Sequence, residues 1–569
     1  MSLYLEFRNA KCKDCYKCLR ECPVKAIDIK GHQAEIIEDR CILCGHCTLV
    51  CPQNAKVVHS EINEVRALLA GSDKVIASVA PSFISSFGLS DFGVMKLALA
   101  KLGFLDAEET AVGAQAVTQE YANLLKSGQF KNFITSACPA VCRMIQEYYP
   151  MALKYLAPVD SPMVAHAKIL KKQHPEAKIV FIGPCIAKKR EAEECHLIDN
   201  VLTFEDVIQL FEEKGVQLDE ITNIVLQKRN GMPNLAKEYP IPQGIIHSFP
   251  ELPDGYDYIA IDGPMKCVKA LQNIEHMDHV VLEMNLCEDA CVNGPCSLEK
   301  DGGSVKAMSD IRKYVTAEKR QFTATQTPVQ VDVPLATAHA RIRSHSMPAS
   351  EREIEAILHK TGKFKPEDEL DCGSCGYATC REKAWAVYNG YADIDICLPY
   401  MRQRAESFSV EVIQNSPEGI VVLDSDMNIL EINNRGRELL GIEDPYAKGH
   451  PAIDYFNPID FCNAYAQKKN VELKKEFISN TGKYVDVSIN YLANQNLIFG
   501  ILKDVTETVD YEKRIMKVKM ETLTTTDNVI KKQMRVAQEI ASLLGETTAE
   551  TKVALLKLKK TLTEEKISE

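Results

Sequence analysis

A chain of 569 residues is too long for one hydrophobic core and predicts about three to five domains. A formal net charge of −12 and a pI near 5.7 argue against nucleic acid or an anionic membrane as the main partner. No stretch reaches the roughly 18 apolar residues of a membrane span, which argues against a transmembrane helix.

The opening residues, MSLYLEFRNAKCKDC, carry charges and cysteines where a secretion signal needs an apolar run. The 21 cysteines fall in tight local groups, as metal ligands do, so the expected compartment is the reducing cytoplasm. Residues 1–60 hold C-x2-C-x2-C-x3-C-P twice: Cys12, Cys15, Cys18, Cys22 with Pro23, then Cys41, Cys44, Cys47, Cys51 with Pro52. This is the run of two-cluster bacterial ferredoxins, in which the fourth cysteine of each motif ligates the other cluster. One [4Fe–4S] cubane is therefore assigned to Cys12, Cys15, Cys18 and Cys51, the other to Cys41, Cys44, Cys47 and Cys22. A zinc site is the plainer alternative, but it rarely uses this doubled spacing.

Residues 61–320 read as α/β. Helical periodicity over Glu61 to Leu69 and Val94 to Leu102 alternates with short apolar runs at Val75 to Val79, Ile179 to Ile182, Tyr258 to Ile261 and Val280 to Leu282. Three such runs end in cysteine: FITSACPA at Cys138, KIVFIGPCIAKK at Cys185, and HVVLEMNLCEDAC at Cys287 and Cys291. Ligand sites in α/β proteins gather at the carboxyl ends of strands, which makes these four thiols one candidate metal site. Four unrelated buried cysteines are the alternative.

The order TSACP, GPCIAKK, EMNLCEDAC resembles the three signature segments of the [FeFe]-hydrogenase active-site domain. The resemblance implies that Cys138, Cys185, Cys287 and Cys291 hold a cubane, and that Cys291 bridges to a diiron unit carrying CO, CN⁻ and a dithiolate. It further implies a pocket lined by Ala80, Pro81, Ser82, Pro184, Lys188 and Asn285, with Lys188 donating to a cyanide. Cys291, Lys188 and Glu120 are the catalytic candidates. The departures are specific. The family's relay cysteine is Ala137 here, a relay serine is Ala157, and of two relay glutamates one is Glu120 and the other Asn123. Two methionines around the diiron unit are Gly183 and Asn285, and Pro295 and Cys296 interrupt a glycine-rich tail. A methyl group passes no proton, so the pattern resembles the sensory branch of the family more than its high-turnover branch.

Residues 321–350 turn Thr-, Pro- and Ala-rich and predict a linker or extended strap. In residues 351–402 a helix, Glu351 to His359, leads into Cys372-x2-Cys375-x4-Cys380-x16-Cys397, which resembles a small [4Fe–4S] domain; zinc also suits four cysteines. Residues 405–508 resemble a PAS sensor domain: two strands across a turn at Ser425-Asp426, a helix, and return strands in KYVDVSINYLA and NLIFGILKDVTE. His450 and Cys462 are its only candidate cofactor anchors, and both read more readily as plain structure. Residues 509–569 are helical in pattern, with Val509, Ile515 or Met516, Leu523 and Ile530, a break at Gly545, and a last helix from Thr548 to Leu562. A parallel homodimer through this helix is the expectation.

The fold class expected is multidomain α/β and α+β: a ferredoxin-like module, a two-lobed α/β core, a small [4Fe–4S] domain, a PAS domain and a C-terminal helix. The function expected is a slow hydrogen-converting enzyme used as a hydrogen or redox sensor. Its cofactors would be four [4Fe–4S] clusters and the diiron unit. Partners implied are H2 and protons, a ferredoxin, maturation proteins for the diiron unit, and a downstream kinase or phosphatase. A ferredoxin-coupled catalytic hydrogenase and an iron–sulfur scaffold without the diiron unit remain alternatives.

Overall fold

A computed structural model gives the structure of the chain, of which residues 4–7, 11–225, 234–298, 302–321, 332–343, 346–544 and 548–564 are described. The chain divides into two compact units, Met1–Met401 and Arg402–Glu569. No helix among the described residues is long and apolar enough to cross a membrane.

The first unit begins with two cysteine loops, each followed by a short helix, Lys17–Glu21 and His46–Leu49. Strand Leu5–Phe7 pairs antiparallel with Lys56–Val58 and closes the module, and Ile27–Lys30 pairs with Gln33–Ile36 as a hairpin between the motifs. Gly45 caps the second helix at φ +72, and a Cβ there would lie 2.5 Å from Pro295. Only glycine permits both that backbone and that approach.

The core is two parallel sheets, the two lobes expected. One runs Asp106–Glu109, Val75–Val79, Lys178–Ile182, Asn200–Leu202. The other runs Asp257–Asp262, Val280–Asn285, Phe133–Ile134. Val75–Val79 and Val280–Asn285 are buried along their whole length, as strands covered on both faces must be. Asp106–Glu109 is a strand that periodicity does not reveal. Its sequence is DAEE, and pairing with Val75–Val79 recruits it.

Within the strap, residues 332–343 run extended against the core. Ala336 bridges Val159, Asp160 N–H donates to Leu335 O at 2.9 Å, and Ile342 N–H donates to Gln146 O at 3.0 Å. Residues 322–331 and 344–345 of the expected linker lie outside the described residues. Helix Glu351–Lys360 then starts on a capping box of Ser350 and Glu353. In the cysteine loop after it, Gly376 at φ +90 brings the backbone against Leu19 and Arg20 of the first module.

The second unit is a five-stranded antiparallel sheet ordered Ile429–Ile432, Gly419–Leu423, Leu497–Asp504, Lys483–Leu492, Val471–Ile478. Val471–Ile478 is not among the expected strands, because its sequence, VELKKEFI, carries charge on half of its positions. Asp504 at the sheet's exit is held by Arg435 at 3.0 Å, and Thr506 Oγ1 accepts from Tyr484 N–H at 3.0 Å. Helix Thr506–Leu544 follows, with Val509 buried. The last helix, Thr548–Glu564, lies against it, Lys559 Nζ standing 3.0 Å from Asp527. The break predicted at Gly545 lies outside the described residues. His450 is exposed and Cys462 half-buried.

Candidate metal centre

Phe133–Ile134, Lys178–Ile182 and Val280–Asn285 each point their carboxyl ends at one cavity, and Cys138, Cys185, Cys287 and Cys291 line it. Cys138 is the N-cap of helix Pro139–Tyr148. Cys287 and Cys291 reach the same cavity because Asp289 and Ala290 both adopt φ +60, a costly conformation for alanine. Asp262 Oδ2 accepts from Asp289 N–H at 2.7 Å and holds that turn. Burial pushes the Cys185 thiol up to about 11 and drives Cys287 and Cys291 higher still. Such thiols ionise only with a cation to compensate them, as metal ligation does.

The residues expected around the cofactor line this cavity too: Ala80, Pro81, Ser82, Pro184, Lys188 and Asn285. Ser82 Oγ is buried with no hydrogen-bond partner in the protein, a polar group left for something in the cavity. Lys188 Nζ donates to Ser161 Oγ at 2.9 Å and to Glu191 Oε2 at 2.6 Å, which leaves one of its three hydrogens for the cavity. Burial alone would lower Lys188; the Glu191 carboxylate outweighs it and raises the group above an ordinary lysine. Ala137 is on the cavity wall beside Cys138. At Gly183 a Cβ would stand 2.8 Å from the Phe181 ring, so that ring fills the place left by the missing side chain. Glu120 lies away from the cavity wall, part-exposed on helix Ala111–Lys126, where Asn123 Nδ2 donates to it at 3.4 Å.

The other cysteines are placed as follows. Cys12, Cys15, Cys18 and Cys51 line a second, smaller pocket, the crossed set in which the last cysteine comes from the second motif. Cys22, Cys41 and Cys44 pack in the same apolar cluster as Cys138 and Cys185. Cys375 packs with Cys12, Cys18, Cys22 and Cys47, and Cys397 Sγ accepts from Lys363 Nζ at 3.5 Å. Cys372 is exposed and Cys380 half-buried. Among the described residues no three His, Cys, Asp or Glu side chains close on a single ion. The orphan hydroxyl and spare ammonium hydrogen of the central cavity fit a group with polar ligands.

Residues 73–251 match the family described as iron only hydrogenase large subunit, C-terminal domain. Residues 11–55 match a 4Fe-4S dicluster domain, 368–399 a putative Fe-S cluster, and 407–474 a PAS domain. This is a hydrogenase-like iron–sulfur protein with a PAS domain. It is 26% identical over 226 residues to the NADP-reducing hydrogenase subunit HndD of Solidesulfovibrio fructosivorans, covering 34% of this chain and 38% of that one. It is 28% identical over 173 residues to iron hydrogenase 1 of Clostridium pasteurianum, covering 27% and 30%. The chain thus spans between 30% and 38% of the length of these two relatives. The solved [FeFe]-hydrogenase HydA(deltaEFG) aligns at 16% identity and a TM-score of 0.37, over 50% of this chain and 99% of that one.

Sequence reasoning missed several residues of the hydrogenase-like domain. Glu191 sits three residues after Lys188 on helix Ala187–Cys195, a spacing that signals contact. Glu283 is a lone charge inside the apolar run before Cys287, 0% exposed. Its Oε2 accepts from Ile246 N–H at 3.0 Å while Oε1 has no partner. Burial raises this carboxyl to about 7, against backbone donors that pull it down. Between about 4.5 and about 7 the folded state therefore keeps a proton that the unfolded state has lost, and stability falls as pH rises. The loss is on the order of 3 kcal/mol, at about 1.4 per unit. Glu283→Gln should remove this slope in urea unfolding followed from pH 5 to pH 8; an unchanged slope would place the titration elsewhere.

Proposed function

We propose that this protein senses hydrogen or redox state through a hydrogenase-type cluster. The observation that carries the reading is the central cavity, where Cys138, Cys185, Cys287, Cys291 and Lys188 meet with Ser82 unpartnered. In this reading Cys138, Cys185, Cys287 and Cys291 would hold a [4Fe–4S] cubane with its diiron unit, and Lys188, Ser82 and Asn285 would receive that unit's polar ligands. The bound cluster would supply reversible splitting of H2 into protons and electrons. The chain's own residues wall the site in: Phe181, Ile245 and Leu286 line it beside the cysteines and keep bulk water from the metal.

The electron route has support in packing. Cys44 and Cys138 share one apolar cluster, and Gly45 meets Pro295, four residues beyond Cys291. Cys375 packs beside Cys22, so the ferredoxin-like module lies between the central cavity and the Cys372 group. An electron leaving the cavity therefore has a cysteine-lined path through that module toward either a soluble ferredoxin or the small domain. Loss of the Ala137, Ala157 and Asn123 relay groups favours a sensor over a fast catalyst, and the PAS domain with its exit at Asp504 would pass the state to a kinase or phosphatase.

The test is reconstitution of the full chain with iron and sulfide, followed by a synthetic diiron precursor and purified maturation factors. Four cubanes and the diiron unit give about 18 irons, infrared bands of CO and CN⁻, and slow hydrogen turnover. Cubanes without CO and CN⁻ bands would leave the scaffold reading in its place. For the sensory half, hydrogen exchange over residues 504–544 should differ between hydrogen-reduced and mildly oxidised protein; equal protection would rule out that output.

A further inference from the structure

A line of polar side chains leaves the cavity at Thr110. Thr110 lines the cavity. Its Oγ1 lies 2.8 Å from Ser78 Oγ, Ser78 Oγ lies 2.8 Å from His166 Nδ1, and His166 Nε2 lies 3.3 Å from Glu108 Oε2. Ser78 and His166 are 1% and 0% exposed, whereas the Glu108 side chain is 31% exposed. The line therefore starts at the cavity wall, runs through buried side chains and ends at the surface. We propose that Thr110, Ser78, His166 and Glu108 form a proton relay that serves this cavity in place of the groups lost at Ala137, Ala157 and Asn123.

The fold builds the relay from three elements. Ser78 on Val75–Val79 stands opposite Glu108 on Asp106–Glu109 in the parallel pairing, which sets both side chains on one face of the sheet. Helix Pro162–Gln173 lays His166 over that face. It comes this close because residue 113 is glycine: a Cβ there would stand 2.3 Å from Pro162 O and 2.6 Å from His166 N. Asp106 and Lys96, themselves 2.6 Å apart, are the charged groups beside Glu108. The imidazole hydrogen bond is the main reason the Glu108 carboxyl falls below the usual glutamate range, as expected when Nε2–H donates to a carboxylate.

The proton balance closes without any electron. A proton released into the cavity is taken by Thr110 Oγ1, whose own hydrogen passes to Ser78 Oγ. Ser78 gives its hydrogen to His166 Nδ1, and the imidazolium gives the Nε2 hydrogen to Glu108, which releases it to water. Each hydroxyl both donates and accepts, and the imidazole offers one nitrogen to each neighbour. Rotation of the hydroxyls and return of the imidazole to its first tautomer reset the line.

This inference rests on the reading of the cavity as a site of hydrogen chemistry, and its test separates the two. The full chain is matured with iron, sulfide and diiron precursor, as wild type and as Thr110→Val, Ser78→Ala and His166→Gln. Thr110→Val removes only the hydroxyl and keeps the shape, so at least one variant should fold as wild type does. Loss of one relay member should lower hydrogen evolution by about 10² or more, with iron content and CO and CN⁻ bands unchanged. A readout apart from turnover is infrared difference spectroscopy on reduction: wild type should show a transient protonated-carboxyl band that Glu108→Gln and His166→Gln both lack. Wild-type rates in Thr110→Val and His166→Gln, or no Glu108 band in wild type, would overturn the relay and leave the hydrogenase reading standing. A wild type without CO and CN⁻ bands would overturn both.

Discussion

Replacing Ala137, Ala157 and Asn123 together by cysteine, serine and glutamate is expected to open a second proton exit beside the Thr110–Glu108 line and to raise hydrogen evolution, by up to about 10² where proton exit limits the rate. Ala137 is on the cavity wall beside Cys138, so a thiol there would face the same space as the cysteine ligands. Ala137 and Ala157 also pack in one apolar cluster, and neither methyl group passes a proton. Asn123 is exposed and bonded to Glu120, which puts the far end of the line at the surface. Ala137→Cys alone should give only a small part of the gain, because a relay acts as a unit and the combined effect exceeds the sum. The measurement is dithionite-driven hydrogen evolution by matured protein. A triple variant no faster than wild type would put the slow step in the cavity itself, where Phe181 occupies the room beside Gly183.

The largest effect on stability is expected at Lys237. Its ammonium lies 2.8 Å from Glu109 Oε1 and donates to Tyr314 OH at 3.0 Å, and Tyr314 OH donates to the same carboxylate oxygen at 2.8 Å. Lys237 and Glu109 are 5% and 8% exposed, and Glu109 Oε2 has no partner. Removing one member of a buried pair strands the other charge, which costs about 3–5 kcal/mol. Lys237→Met should lower unfolding stability by that amount, while Lys237→Met with Glu109→Gln should recover most of it. Denaturant titration of both variants checks this; a single variant within about 1 kcal/mol of wild type would overturn the role given to the Lys237–Glu109 pair.

What the sequence made legible here was chemistry repeated at short spacing. The cysteine motifs of residues 12–51 predicted a crossed assignment, and Cys51 is indeed in the pocket of Cys12, Cys15 and Cys18. The strand-end cysteines predicted one site from three distant segments, because apolar runs ending in Cys138, Cys185 and Cys287 announce the same end of a parallel sheet. Partners chosen by packing were not legible. Asp106–Glu109 shows no strand periodicity, yet its register sets Glu108 toward His166 and Glu109 toward Lys237. His166 looks like a lone histidine in an amphipathic helix, and no spacing rule ties it to Ser78, 88 residues earlier. Gly183 was legible as the loss of a methionine; that Phe181 would take up the room was not.

Arg40 carries a different consequence. Its guanidinium lies 5.5 Å from the ring centroid of Tyr148, 5.8 Å from that of Trp385 and 4.5 Å from that of Tyr391, and it donates to Val24 O at 3.0 Å. One buried cation is thus clasped by aromatic rings from the hydrogenase-like core and the small cysteine domain, while its own backbone belongs to the ferredoxin-like module. Recombination that exchanged any one of these three segments for a homologue's would have to deliver a matching ring or cation at the same moment. The three cysteine-rich segments of Met1–Met401 are coupled through this one side chain, so none of them can be exchanged without disturbing the other two.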